Sequence, residues 1–150
     1  MTDFNAVREL MAKAIPFSTH VGIELVEVGE GIGIAKLPDA PELLNHVGTQ
    51  HAGALFTVAE TASGMAMLSV FIDHFATLTP VARRSSIEYL RLARGVITAT
   101  GRLDADPADL LVRLEADGKV EFPVGVSLTD ERGKEVATVE VTWHVKRNAT

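Results

Sequence analysis

The chain has 150 residues, 47% of them hydrophobic and 23% charged, which fits one globular domain with a sizeable core. A formal charge of −6 argues against nucleic acid and anionic membranes as partners. Without cysteine there is no disulfide, thiol nucleophile or thiolate metal site. The N-terminus carries acids early and no long apolar run, so no signal peptide is read and a cytoplasmic protein is expected.

Val7, Leu10, Met11, Ala14 and Ile15 recur at helical spacing. Thr2 or Asp3 can cap this segment and Pro16 can end it, which predicts an N-terminal helix within residues 1–16 acting as a lid on the core. His20 to Val28 and Ile32 to Leu37 read as two strands joined through Gly29-Glu30-Gly31, with His20 structural or exposed at the strand start. Pro38-Asp39-Ala40-Pro41 then breaks regular structure.

The stretch from Asn45 to Ile72 organises the rest. A polar turn holding Asn45, His46, Gly48, Thr49, Gln50, His51 and Gly53 leads into a helix from Ala52 whose only formal charge is Glu60. A helix apolar around most of its circumference is one wrapped by the rest of a fold. Charged residues are rarely buried unless paired or used, so Glu60 is paired, exposed on a stripe, or at work. Thr57, Glu60, Thr61 and Gly64 share one face, and an amphipathic helix with that face to water would look similar. The turn favours work: two histidines, an asparagine and free helix-start N–H groups converge there. Such an N-terminus suits a carbonyl oxygen becoming an anion. Residues 52–72 are long enough to span a membrane, but Glu60, four hydroxyl residues and the lack of basic flanks speak against it. No metal site is expected, because His46 and His51 lie five apart with only Asn45 beside them.

Beyond the helix, Asp73-His74 marks an exit to solvent. Leu78 to Leu92 is a long strand candidate, and Arg94-Gly95 turns into another over Val96 to Leu103. A helical insertion over residues 105–118 follows, capped by Asp106, opened by Pro107 and closed by Gly118. Val120 to Leu128 alternates as a half-buried strand. Val136 to Val145 returns with Ala137, Val139, Val141, Trp143 and Val145 on one face, leaving His144 solvated on the other. This order implies a single α+β domain: one antiparallel sheet enclosing the central helix.

These features resemble the hotdog fold, an antiparallel sheet curled round a long helix. The string Asn45-His46-x-Gly48-Thr49-x-His51-x-Gly53-Ala54-Leu55, with an acid at Glu60, is similar to the PaaI-like acyl-CoA thioesterases and especially to their DUF4442 branch. The resemblance covers roughly residues 5–146. It implies an acyl-CoA thioesterase with Glu60 as catalytic base or nucleophile. Asn45 would orient the water or thioester, and His51 would precede an oxyanion donor that here is the Ala52 N–H rather than a glycine. His46 and Gly53 would border the substrate. Arg91 and Arg94, in the family's Leu-Arg-x-Ala-x-Gly pattern, would meet CoA phosphates, although exposed arginines on a strand are the plainer reading. Phe56, Met65, Met67 and Tyr89 are candidates for the pocket floor. No cofactor is implied beyond coenzyme A as part of the substrate.

Ala52 and Glu60 lie eight residues apart, roughly 12 Å along a helix, too far for both to reach one thioester. Two antiparallel copies can pair them, so an enzyme of this kind requires a homodimer; in the family such dimers commonly pair again into a homotetramer. Two rival readings remain open. One is a 3-hydroxyacyl thioester dehydratase or hydratase, given His46 fourteen residues before Glu60. The other is a non-catalytic acyl-CoA-binding protein.

Overall fold

The computed structural model describes residues 1–149. The Asp3 carboxylate accepts the N–H groups of Asn5 and Ala6 at 3.1 Å and so starts α1, Phe4–Ala14. Pro16 ends α1 as the sequence suggested, the helix stopping at Ala14 with Ile15 as its C-cap. The proline also occupies the first turn of a second helix, α2 (Pro16–Val21), which closes on Gly22 in the left-handed region at φ +83°. The strand expected from His20 therefore begins only at Glu24, and His20 is exposed in the last turn of α2.

The remaining elements follow the expected order. They are β1 (Glu24–Gly29), β2 (Ile32–Leu37), α3 (Ala52–Phe71), β3 (Leu78–Tyr89), β4 (Ile97–Leu103), α4 (Pro107–Asp117), β5 (Lys119–Thr129) and β6 (Glu135–Arg147). Asp106 caps α4 by accepting the Ala108 N–H at 2.9 Å, and Gly118 ends it at φ +69°. The strands form one six-stranded antiparallel sheet in the order β1-β2-β4-β5-β6-β3. The chain leaves β2 near one edge, crosses the inner face as α3 and rejoins the sheet as the far edge strand β3. This is the hotdog arrangement.

Small residues set how closely α3 lies on the sheet. Gly33 of β2 and Gly101 of β4 are directly paired, and a Cβ on either would stand 2.2 Å or 2.8 Å from the Ala62 carbonyl oxygen. The helix thus rests backbone-first on the central strands, with Val58, Ala59, Ala62 and Ala66 fully buried between them. The segment from Ala52 to Thr77 is long and apolar enough to cross a membrane, and 78% of its most apolar window is buried inside the fold. Its hydroxyl groups are spent within the protein. Thr57 donates to the Gly53 carbonyl, Thr61 to that of Thr57, and Ser18 of α2 hydrogen-bonds Thr61 across 2.9 Å. The expected polar stripe is therefore covered at Thr57, Thr61 and Gly64, which are all buried.

At Arg83 a bulge interrupts the pairing of β3 with β6. Ala82 pairs with the inward Trp143 before it, and Ser85, Ile87 and Tyr89 pair with Val141, Val139 and Ala137 after it. The extra residue resets the alternation, so Ala82 before it and Ser85, Ile87 and Tyr89 after it lie on the same, inner face of the sheet. His144, expected to be solvated, is half-buried: its Nδ1 lies 2.8 Å from the Glu121 carboxylate, which also accepts from Arg83. The His144 hydrogen bond, followed by Arg83, holds Glu121 below the ordinary carboxylate range.

Candidate active site

The turn before α3 is built on Asn45. Its Oδ1 accepts the N–H groups of Val47 and Thr49 at 3.1 and 3.0 Å; its Nδ2 donates to Thr49 Oγ1 at 2.8 Å and to the Gln50 carbonyl at 3.4 Å. Every donor and acceptor position of the amide is used inside the turn. The expected role of Asn45, orienting water or thioester directly, does not fit a side chain with nothing left to offer. Asn45 shapes the loop instead, with Gly48 at φ +73° completing the bend. His46 is exposed and makes no side-chain hydrogen bond among the described residues.

Gln50 anchors this turn to the sheet. It is 2% exposed, and its Nε2 donates to the Pro38 and Gly95 carbonyls, each at 2.9 Å. Its backbone N–H reaches the Ala93 carbonyl at 2.8 Å, and its Oε1 is buried without a partner. One side chain thus ties together the exit of β2, the entry to β4 and the start of α3. Nothing local in the sequence marks Gln50 for this, because its partners lie twelve and forty-five residues away.

His51 is the N-cap of α3, and its Nδ1 accepts the Gly53 N–H at 2.9 Å. The ring proton consequently belongs on Nε2. Gly53, expected at the substrate, spends its N–H on His51. The Ala52 N–H has no acceptor among the described residues and stands exposed at the positive end of a twenty-residue helix. That is the donor the sequence singled out. Tyr89 also reaches this point, its hydroxyl donating to the Ala52 carbonyl at 3.2 Å and joining the end of β3 to the helix start.

Glu60 lies two turns along α3. It is only partly exposed, and its carboxylate has no ion-pair or hydrogen-bond partner among the described residues; desolvation pushes its pKa above 4.5. Ser63 donates to the Glu60 carbonyl at 2.7 Å and accepts the Trp143 indole N–H at 3.2 Å, which pins the helix to β6 at this level. An unpaired, half-buried carboxylate and an unpaired, exposed helix-start N–H can attack and polarise a carbonyl when they come from facing copies.

The other expected residues are dispersed. Arg91 is exposed, and its Nε donates to the Glu135 carbonyl at 3.1 Å. Arg94 is exposed beside a surface hollow that it shares with Asp130, Glu131, Arg132 and Lys134. The four proposed floor residues do not share one cavity. Met65 and Met67 line an apolar pocket beyond Glu60, whereas Phe56 is half-buried elsewhere on α3 and Tyr89 lies at the helix start.

Comparison with known proteins agrees with this architecture. The sequence profile of the family described as "Domain of unknown function (DUF4442)" matches residues 5–145. A Pseudomonas aeruginosa protein of unknown function, described as a probable thioesterase, is 30% identical with a TM-score of 0.84, over 96% of this chain and 95% of that one. The Escherichia coli PaaI protein from the phenylacetic acid degradation operon is 22% identical, TM-score 0.72, over 94% and 90%. A Haemophilus influenzae thioesterase is 19% identical, TM-score 0.75, over 98% and 92%. None of the curated proteins compared matches the chain. The chain belongs to the DUF4442 family and carries the hotdog fold.

Proposed function

We propose that this protein is an acyl-CoA thioesterase, hydrolysing the thioester of an acyl- or aryl-CoA at a site shared by two copies of the chain. The observation that carries the reading is Glu60, the sole charge on α3, desolvated and unpartnered. Stability alone would not keep a carboxylate there. The free Ala52 N–H and the naming of structural relatives as thioesterases support the same reading.

The chemistry follows from those two groups. The Ala52 N–H of one copy polarises the thioester carbonyl and stabilises the oxyanion. Glu60 of the other copy either takes a proton from water as its oxygen attacks the carbonyl carbon, or attacks that carbon itself to give an anhydride that water then opens. In both routes the C–S bond breaks and the thiolate leaves, taking up a proton. Asn45, Gln50 and His51 hold the turn. Arg94 and the free end of Arg91 attract the CoA phosphates.

Homodimer formation through β3 fits this scheme. The strand runs twelve residues along the sheet edge, paired on one side only, and exposes Val81. Pairing of β3 with its copy across a two-fold axis would run the α3 helices antiparallel. The test is release of free thiol from a panel of CoA thioesters by the wild-type protein and by Glu60→Gln. Turnover by the wild type and its loss in the folded variant are expected. Equal turnover by both would remove Glu60 from the chemistry.

A further inference from the structure

Beyond Glu60 on the same side of α3 lies an apolar pocket of about 180 Å³. Gly64 and Met67 follow Glu60 by four and seven residues, so they continue its face of the helix, with Leu68 beside them. The indole of Trp143 forms one wall: its N–H is fixed on Ser63, and its ring lies against Gly64, where a Cβ would meet it at 3.4 Å. Met11 and Ile15 of the N-terminal segment close the pocket from outside. Polar groups are nearly absent from this lining. The glycine matters, because any side chain at 64 would project from the helix face between Glu60 and Met67 against the Trp143 ring that walls the pocket.

We infer that this pocket receives the far end of an aliphatic acyl chain whose thioester carbon lies at Glu60, making medium-chain acyl-CoA the preferred substrate class. The inference rests on the hydrolase reading of Glu60. Its length limit comes from the helix. From Glu60 to Leu68 α3 rises roughly 12 Å, and an extended hydrocarbon chain advances slightly less per carbon than a helix per residue, which corresponds to about eight to ten carbons. A short acyl group would leave the pocket unfilled, and a much longer one would meet Met11 and Ile15. The N-terminal helix is then a chain-length gauge as well as a cover for the core.

The experiment has two arms. S-alkyl-CoA thioethers, which cannot be hydrolysed, are titrated calorimetrically from two to sixteen carbons (roughly); affinity should rise by roughly fourfold per methylene until about ten carbons and then level off or fall. In parallel, kcat/KM is measured over the matching acyl-CoA series for the wild type, Ile15→Trp and Met11→Trp, two rim substitutions that leave the helix α3 intact. Each should raise the ratio of butyryl- to decanoyl-CoA hydrolysis at least about tenfold by filling the pocket. Thermal unfolding of each variant identifies any that has lost its fold, and the other then decides. A flat thioether series, or hydrolysis profiles unmoved by folded rim variants, overturns the pocket assignment. Rising thioether affinity with no hydrolysis of any thioester leaves the pocket standing and overturns the hydrolase reading instead.

Discussion

Gly33 and Gly101 face each other across β2 and β4, and the Ala62 carbonyl rests in the space that two Cβ atoms would occupy. Gly33→Ala puts a methyl carbon 2.2 Å from that oxygen, against 2.8 Å for Gly101→Ala. Both should destabilise the protein, by about 1–3 kcal/mol for Gly101→Ala and by more for Gly33→Ala, because the neighbour is backbone and cannot rotate away. Urea unfolding checks both the sign and the order. A neutral Gly33→Ala would mean that α3 does not bear on the sheet here.

Glu60 sets two pH dependences. If its ionised form drives hydrolysis, kcat/KM should fall on the acid side with a midpoint above 4.5, since desolvation raises the carboxyl. For stability, the folded state holds the Glu60 proton more tightly than the unfolded chain does. Its favourable contribution is present below pH 4.5 and is lost as pH rises through the folded value. Glu60→Gln should therefore gain on the wild type in urea midpoint between acid and neutral pH, while kcat falls by about 10²- to 10⁴-fold. A constant difference across pH would mean the carboxylate is not desolvated.

Ala52→Pro tests whether the site is shared. Proline suits the first position of a helix and, with His51 at φ −64° and ψ 140°, meets a compatible preceding residue. It removes only the free N–H. Ala52→Pro and Glu60→Gln should each be inactive alone. Refolded together at equal amounts they should recover about a quarter of wild-type activity, because half the dimers are mixed and each mixed dimer has one intact site. No recovery from two folded, dimeric variants would place both groups in one subunit.

Gln50 and Arg94 separate holding from binding. Gln50→Glu sets a carboxylate against the Pro38 and Gly95 carbonyls in place of an amide donor, and should cost about 2–4 kcal/mol with loss of turnover. Arg94→Ala should leave stability within about 0.5 kcal/mol and raise KM for CoA esters more than it lowers kcat. An Arg94 variant that loses kcat at unchanged KM would contradict phosphate contact.

How much of this was legible beforehand depends on how local each cause is. Asp106, Pro107 and Gly118 mark α4 within a dozen residues, because capping and helix termination act on neighbours, and the structure places them as read. Pro16 ends α1 as read, but proline can also open a helix, and the expected strand from His20 failed because α2 runs from Pro16 to the left-handed Gly22, six residues on. Glu60 stood out as the one charge in an apolar run. The reach of Gln50 and the Gly33–Gly101 contact were invisible, since each depends on atoms brought together only by the sheet, whereas the commitment of Asn45 to its own turn is local, made with Val47, Thr49 and Gln50.

The extra residue at Arg83 has an evolutionary corollary. Loss of one residue there would realign the distal half of the edge strand, turning Ser85, Ile87 and Tyr89 to the outer surface and unhooking the tyrosine from the start of the long helix. Length change at this point is therefore not the silent event it would be in a loop. Homologues that keep the tyrosine should keep the additional residue too, and those that have dropped one should have dropped both.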